Sequence, residues 1–163
     1  MGRLAQTLGI RMHPSYLSSI DELQHQLNNL LTAPSIKYSS WPPSETATLR
    51  TSGGVYHFFE VGTKENTSLY VGKAGLGAGK WSLFKRLSQH FQTSQTNTFL
   101  GKASKAAGTT PEATKASFCQ RPIYLQWLPI VSTQPPALQS TDSELYRLEC
   151  FCKAVLNPAF TDA

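Results

Sequence analysis

Two tyrosines, a lysine, an arginine, a histidine and a late glutamate are the residues of this chain whose types suit work on a phosphate. They run in the order Gly54-Val-Tyr56, Tyr70-Val-Gly72-Lys73, Arg86, His90 and Glu149. Phosphodiester hydrolysis needs an activated water, neutralisation of charge on the phosphate and help for the departing oxygen. Arginine offers a planar, always-charged set of donors matched to phosphate oxygens. A carboxylate can hold a divalent metal that acts as a Lewis acid. Tyrosine, with an ordinary pKa of about 10, serves as acid or base only if that value is lowered, and Lys73 beside Tyr70 is suitably charged to do so.

The same region, SLYVGKAGLGAGKWSLFKRLSQHF from Ser68 to Phe91, also has the look of a nucleotide loop. Such a loop needs Gly, four residues, Gly, then Lys and Ser or Thr, so that backbone N–H groups wrap the phosphates. Counting on from Gly72 reaches Gly77, but Ala78 stands where lysine belongs. Counting back from Gly79-Lys80 finds Ala74 in place of the first glycine and Trp81 in place of the hydroxyl. Gly75, Gly77 and Gly79 do not complete GxGxxG either. These glycines read as a connector between a strand and a helix, since glycine tolerates conformations other residues avoid.

The ordered set resembles the GIY-YIG nuclease superfamily. The resemblance rests on GVY at 54–56, YVGKA at 70–74, KRLSQH at 85–90 and Glu149 followed by NPAFT, and it spans roughly residues 53–161. It implies that Tyr56 is the general base or water-positioner and that Tyr70 binds phosphate and tunes its neighbour. Arg86 would hold the scissile phosphate, His90 would assist proton transfer, and Glu149 would bind one Mg²⁺ or Mn²⁺. The fold it implies is α+β, a small central three-stranded antiparallel sheet flanked by helices. Thr161 stands where the family often carries asparagine, and a hydroxyl can replace only part of an amide's hydrogen bonding. That departure keeps an alternative open, a nucleic-acid-binding module that retains the fold without turnover.

The elements that must position these residues are legible as patterns. GVYHFFEV, 54–61, and LYVGKA, 69–74, are rich in β-branched and aromatic residues and predict an antiparallel hairpin around GTKENTS. Leu83, Phe84, Leu87 and Phe91 recur at helical spacing, with Arg86 and His90 at the border of that face. PIYLQWLPI, 122–130, predicts a third strand, and a last helix runs from about Asp142 to Leu156, ended by Pro158. Thr141-Asp-Ser-Glu144 matches a capping box, which gives Glu144 a structural role and leaves Glu149, beside Leu145, Leu148 and Cys152, as the carboxylate facing a cleft. Ser19-Ile-Asp-Glu22 matches another, ahead of a packing helix carrying Ile20, Leu23, Leu27 and Leu30 and stopped by Pro34. Residues 92–120 are polar and basic, with a short helix after Pro111, and read as a loop near the partner.

Composition sets the surroundings. The 163 residues carry a formal charge of +5, and eight of the fifteen Lys and Arg lie between Lys73 and Arg121 against the single acid Glu112. Such a patch fits a polyanionic partner as well as it fits a solvated face; the resemblance implies DNA, with Lys80, Lys85, Lys102, Lys105, Lys115 and Arg121 as its contacts. No apolar run approaches the ~20 residues needed to span a bilayer, and the first fifteen residues have no signal-peptide apolar region, so a cytoplasmic, non-membrane protein is expected. Residues 1–52 form an expected N-terminal extension with one helix, and 53–163 the nuclease-like domain. Target choice would fall to the basic segment, the N-terminal helix, a partner chain or a second copy. Cys119, Cys150 and Cys152 lack paired metal spacing and read as core or boundary residues. His13, His25 and His57 form no ligand pattern and read as structural.

Overall fold

The computed structural model describes residues 14–75, 81–130 and 141–161, without the side chains of 14–18 and 141–143. Its frame is a four-stranded antiparallel sheet in the order β1-β4-β2-β3. The strands are β1 (Ser35–Lys37), β2 (Gly53–Glu60), β3 (Thr67–Ala74) and β4 (Ile123–Ile130). β2 and β3 make the predicted hairpin, and β4 pairs along the other edge of β2. β2 is buried on both faces, as suits a central strand whose GGVYHFFE sequence is largely aromatic and β-branched.

The expected three-stranded sheet is therefore corrected to four strands. β1 pairs Ser35 with Gln126 and Lys37 with Tyr124. It is too short, directly after Pro34, for alternation to announce it. Since β1 and the buried Tyr38 that follows it belong to residues 1–52, that segment contributes both an edge strand and core.

Among the described residues there are six α-helices: α1 (Pro14–Thr32), α2 (Ala47–Thr51), α3 (Leu83–Gln89), α4 (Phe99–Ala107), α5 (Pro111–Gln120) and α6 (Thr141–Leu156). Tyr56, Phe58 and Tyr70 point from the sheet into a core with Leu83 and Leu87 of α3, Phe99 and Leu100 of α4 and Phe118 of α5. Val55 and Val71 point the other way, against Leu27 and Leu30 of α1 and Leu148 and Cys152 of α6. Adjacent residues of one strand thus serve two cores, as period-two alternation requires. No helix among the described residues is long and apolar enough to cross a membrane.

Two local readings change. Ser19 sits inside α1, which begins at Pro14, so it cannot cap that helix. Proline at a first helical position costs nothing, because its missing N–H would be unpaired there anyway. Ile20 is correspondingly exposed, and Glu22 Oε1 accepts from Gln26 Nε2 at 2.7 Å. Residues 92–120 are mostly two helices. Thr98 and Thr110 cap α4 and α5 by accepting from Gly101 N–H and Ala113 N–H, and Gly108 ends α4 with φ 62°. α6 ends through Asn157, with φ 44°, before Pro158. Cys150 is exposed, Cys119 half-buried and Cys152 buried. The Thr141 cap side chain and His13 lie outside the described residues; His25 is exposed.

Candidate active site

The site begins at Tyr56, fully buried at the middle of β2. Its strand partner across the hairpin is Gly72, and the phenol lies over that glycine. A Cβ on Gly72 would stand 2.5 Å from Tyr56 Cζ, so only glycine leaves room for the ring. The Tyr56 hydroxyl then meets His90 Nε2 at 2.7 Å.

His90 ends α3 and is itself fully buried. Its Nδ1 accepts the Phe99 backbone N–H at 2.8 Å, which assigns the tautomer. A neutral ring with Nδ1 as acceptor carries its proton on Nε2 and donates it to Tyr56. An imidazolium would set Nδ1–H against the Phe99 N–H, two donors face to face. In this arrangement His90 supports the Tyr56 oxygen and does not take its proton. Tyr38, from the N-terminal part of the chain, donates to the His90 carbonyl at 3.4 Å.

Tyr70 completes a ring cluster. Its centroid lies 5.1 Å from that of His90 and 6.4 Å from that of Tyr56. Arg86, half-buried on α3, donates from Nη1 to Gln89 Oε1 at 2.9 Å. Burial above all, and then the neighbouring Tyr70, hold the Tyr56 hydroxyl well above its ordinary pKa; Arg86 opposes them by charge and hydrogen bond, while the Glu149 carboxylate adds to the rise. Arginine and glutamate therefore both act on the same phenol.

Glu149 is 7% exposed on α6 and pairs with Lys153 Nζ at 2.9 Å. Burial, with the Glu149 charge second, pushes the Cys152 thiol up to about 12, so this cysteine is a packed, unreactive thiol. Among the described residues no group of three or more His, Cys, Asp or Glu side chains is placed to hold a metal ion. A cation caged wholly by protein does not fit. A hard divalent ion held by one carboxylate, waters and a substrate phosphate does fit what Glu149 offers.

Lys73 goes elsewhere. It pairs with Val55, so alternation places it on the opposite face of the sheet from Tyr56 and Tyr70. Its Nζ stands 5.9 Å from the Tyr146 ring centroid on α6. The expected lysine beside the tyrosines is thus not brought to them.

The six expected nucleic-acid contacts divide similarly. Lys85 and Lys105 are exposed. Lys102 Nζ donates to the Thr161 carbonyl at 3.0 Å and stands 6.0 Å from the Tyr70 ring centroid. Lys115 donates to the Phe91 carbonyl at 2.8 Å, a structural bond at the end of α3. Arg121 is bidentate on Glu60, with Nε donating to Oε1 at 2.9 Å and Nη2 to Oε2. Lys80 lies outside the described residues. The segment after α6 runs beside β3, where Ala159 N–H and Phe160 N–H bond the carbonyls of Ser68 and Leu69. Phe160 packs on Phe99 and Thr161 stays exposed.

Gly72 lies within the YVGKA motif but is given no role by it, and Gln89 and Tyr38 are parts of the site to which motif reasoning gives no role. A glycine inside a strand is a usable signal of close approach; the other two have none in sequence. No protein-family model, curated protein or solved structure matches the chain.

Proposed function

We propose that this chain is a metal-dependent endonuclease of GIY-YIG type that hydrolyses phosphodiester bonds in DNA. The observation that carries the reading is the Tyr56 hydroxyl, bonded to His90 Nε2 at 2.7 Å and acted on by the opposing charges of Arg86 and Glu149. Glu149 would hold Mg²⁺ or Mn²⁺, which when bound supplies Lewis acidity toward the phosphoryl group. Arg86, kept in place by Gln89, binds the non-bridging phosphate oxygens and stabilises charge that grows on them. Tyr56 positions the attacking water by donating its O–H, since its oxygen already accepts from the His90 Nε2–H and from Arg86. Tyr70 forms the wall of the site behind that hydroxyl and orders His90 between two rings.

The test is purified protein with supercoiled plasmid and Mg²⁺ or Mn²⁺, beside EDTA and Glu149→Ala. Nicking that needs the metal and disappears in the variant is expected. Salt-sensitive binding without nicking would leave a second reading, a DNA-binding module without turnover. The Lys153 ammonium on Glu149 and the raised pKa of Tyr56 favour that alternative, since both describe a site at rest.

A further inference from the structure

Gln89 has a second surface. Besides accepting from Arg86, it lines a groove of about 550 Å³ between α2 and α3, together with Arg50, Trp81, Ser82, Phe84 and Lys85. The groove carries two cations and no acid among its lining residues. Its aromatic content is unusual for a solvated face. Trp81 is exposed at 38%, and Lys85 Nζ stands 4.4 Å from its ring centroid. The Arg50 guanidinium lies 3.8 Å over the Phe84 ring. Beneath them Trp41 packs on Phe84 at 5.7 Å and stacks on Phe91 at 5.1 Å, so the floor is anchored in the core.

We infer that this groove takes an unpaired nucleobase on Trp81, with the flanking phosphates on Arg50 and Lys85. The substrate is then DNA that is single-stranded or forked beside the phosphate held by Arg86. Three features point the same way. An exposed indole offers a face to any base, and such stacking tolerates sequence. Cations resting on rings are held ready for a backbone, and the absence of acids leaves their charge unopposed. Gln89 joins the groove to Arg86, so a strand lying in it leads to the proposed reaction centre. A base inside a duplex has both faces stacked and cannot meet Trp81 until it is freed.

This inference rests on the hydrolase reading for its scissile phosphate, but binding tests it without turnover. Fluorescence anisotropy in EDTA would compare a labelled single strand, a forked duplex and a blunt duplex against wild type, Trp81→Ala, Trp81→Phe and Lys85→Ala, with circular dichroism to confirm folding. Trp81→Ala is expected to weaken single-strand and forked binding by about tenfold and to leave blunt-duplex binding unchanged. Trp81→Phe should restore most of the loss. Lys85→Ala should lower the log–log salt slope by about one on the single strand and the forked duplex and leave it unchanged on the blunt duplex. Equal loss on all three substrates, or none on any, would overturn the groove. Metal-dependent nicking with no Trp81 effect on binding overturns it alone. Trp81-dependent binding with no nicking overturns the hydrolase reading and leaves the groove standing.

Discussion

Two buried histidines sit on opposite faces of the same sheet, and nearly the same hydrogen-bond pattern serves different ends. His57 Nδ1 accepts from Gln126 Nε2 at 3.2 Å, so its Nε2–H donates to Ser68 Oγ at 2.9 Å. His90 Nδ1 accepts from Phe99 N–H, and its Nε2–H donates to Tyr56. Both rings are neutral, of one tautomer and satisfied at both nitrogens. The difference lies in what stands beyond the partner. Ser68 is a half-buried hydroxyl on β3, whereas the Tyr56 phenol is acted on by Arg86 and Glu149. A satisfied buried histidine is thus no sign of chemistry in itself; on the proposed reading, the charges acting on its hydrogen-bond partner are what set His90 apart.

The sharpest way to break this comparison is to remove one hydroxyl. Tyr56→Phe keeps the ring over Gly72 and deletes the hydroxyl that His90 bonds and that the charges of Arg86 and Glu149 act on. Plasmid nicking should fall by about a hundredfold or more, the lower range for loss of a positioned acid–base group. His57→Gln, which keeps an amide able to reach Ser68 and Gln126, should leave the nicking rate unchanged. Equal losses in both variants would mean that the two faces do not differ as argued.

Acid tests the His57 face through stability. Burial lowers the His57 pKa from 6.5 to about 4. A depressed folded-state value means that the unfolded chain binds the proton first, so the stabilisation is complete above pH 6.5 and is lost as the pH falls toward 4. The loss amounts to about 3 kcal/mol at its limit. Urea unfolding followed from pH 7 to pH 4 should show that slope in wild type and a shallower one in His57→Gln. A slope unchanged in the variant would remove His57 as its source.

How much of this arrangement the residues disclose in advance depends on the range of the interaction. Alternation in GVYHFFEV and helical spacing around Leu83 and Leu87 are local, so both β2 and α3 are legible, and with them the placement of Tyr56, Tyr70 and Arg86 near one another. The same alternation already sends Lys73 to the far face, although its place next in line to Tyr70 suggests partnership. α4 hides in a basic, polar stretch because Phe99, Leu100 and Ala103 are few. Its signals are Thr98 as a cap and Gly108 as a stop, one at each end. β1 is three residues long and exists only because β4 offers it an edge. The Phe99 N–H that sets the His90 tautomer lies nine residues on, across an irregular turn, and the Tyr38 hydroxyl on the His90 carbonyl comes from far back in the chain; no spacing rule reaches either.

Gly72→Ala provides the smallest and most discriminating test. The new methyl would enter the space of the Tyr56 ring, where Cζ would be 2.5 Å away, and the ring is walled by Phe58, Tyr70 and His90. Overpacking of this kind costs about 1–3 kcal/mol, visible as a lower urea midpoint. Relief comes most easily by tilting the phenol, which stretches the 2.7 Å bond to His90 and carries the hydroxyl away from Arg86. Nicking should therefore fall further than stability explains when both are measured well below the unfolding midpoint. His57 lies on the other face, so the acid slope should keep its wild-type shape. Loss of stability with a wild-type rate would show that the hydroxyl need not sit over Gly72. A changed acid slope would show that the two faces are coupled through β2, and the contrast between the two histidines would then belong to the strand and not to their separate surroundings.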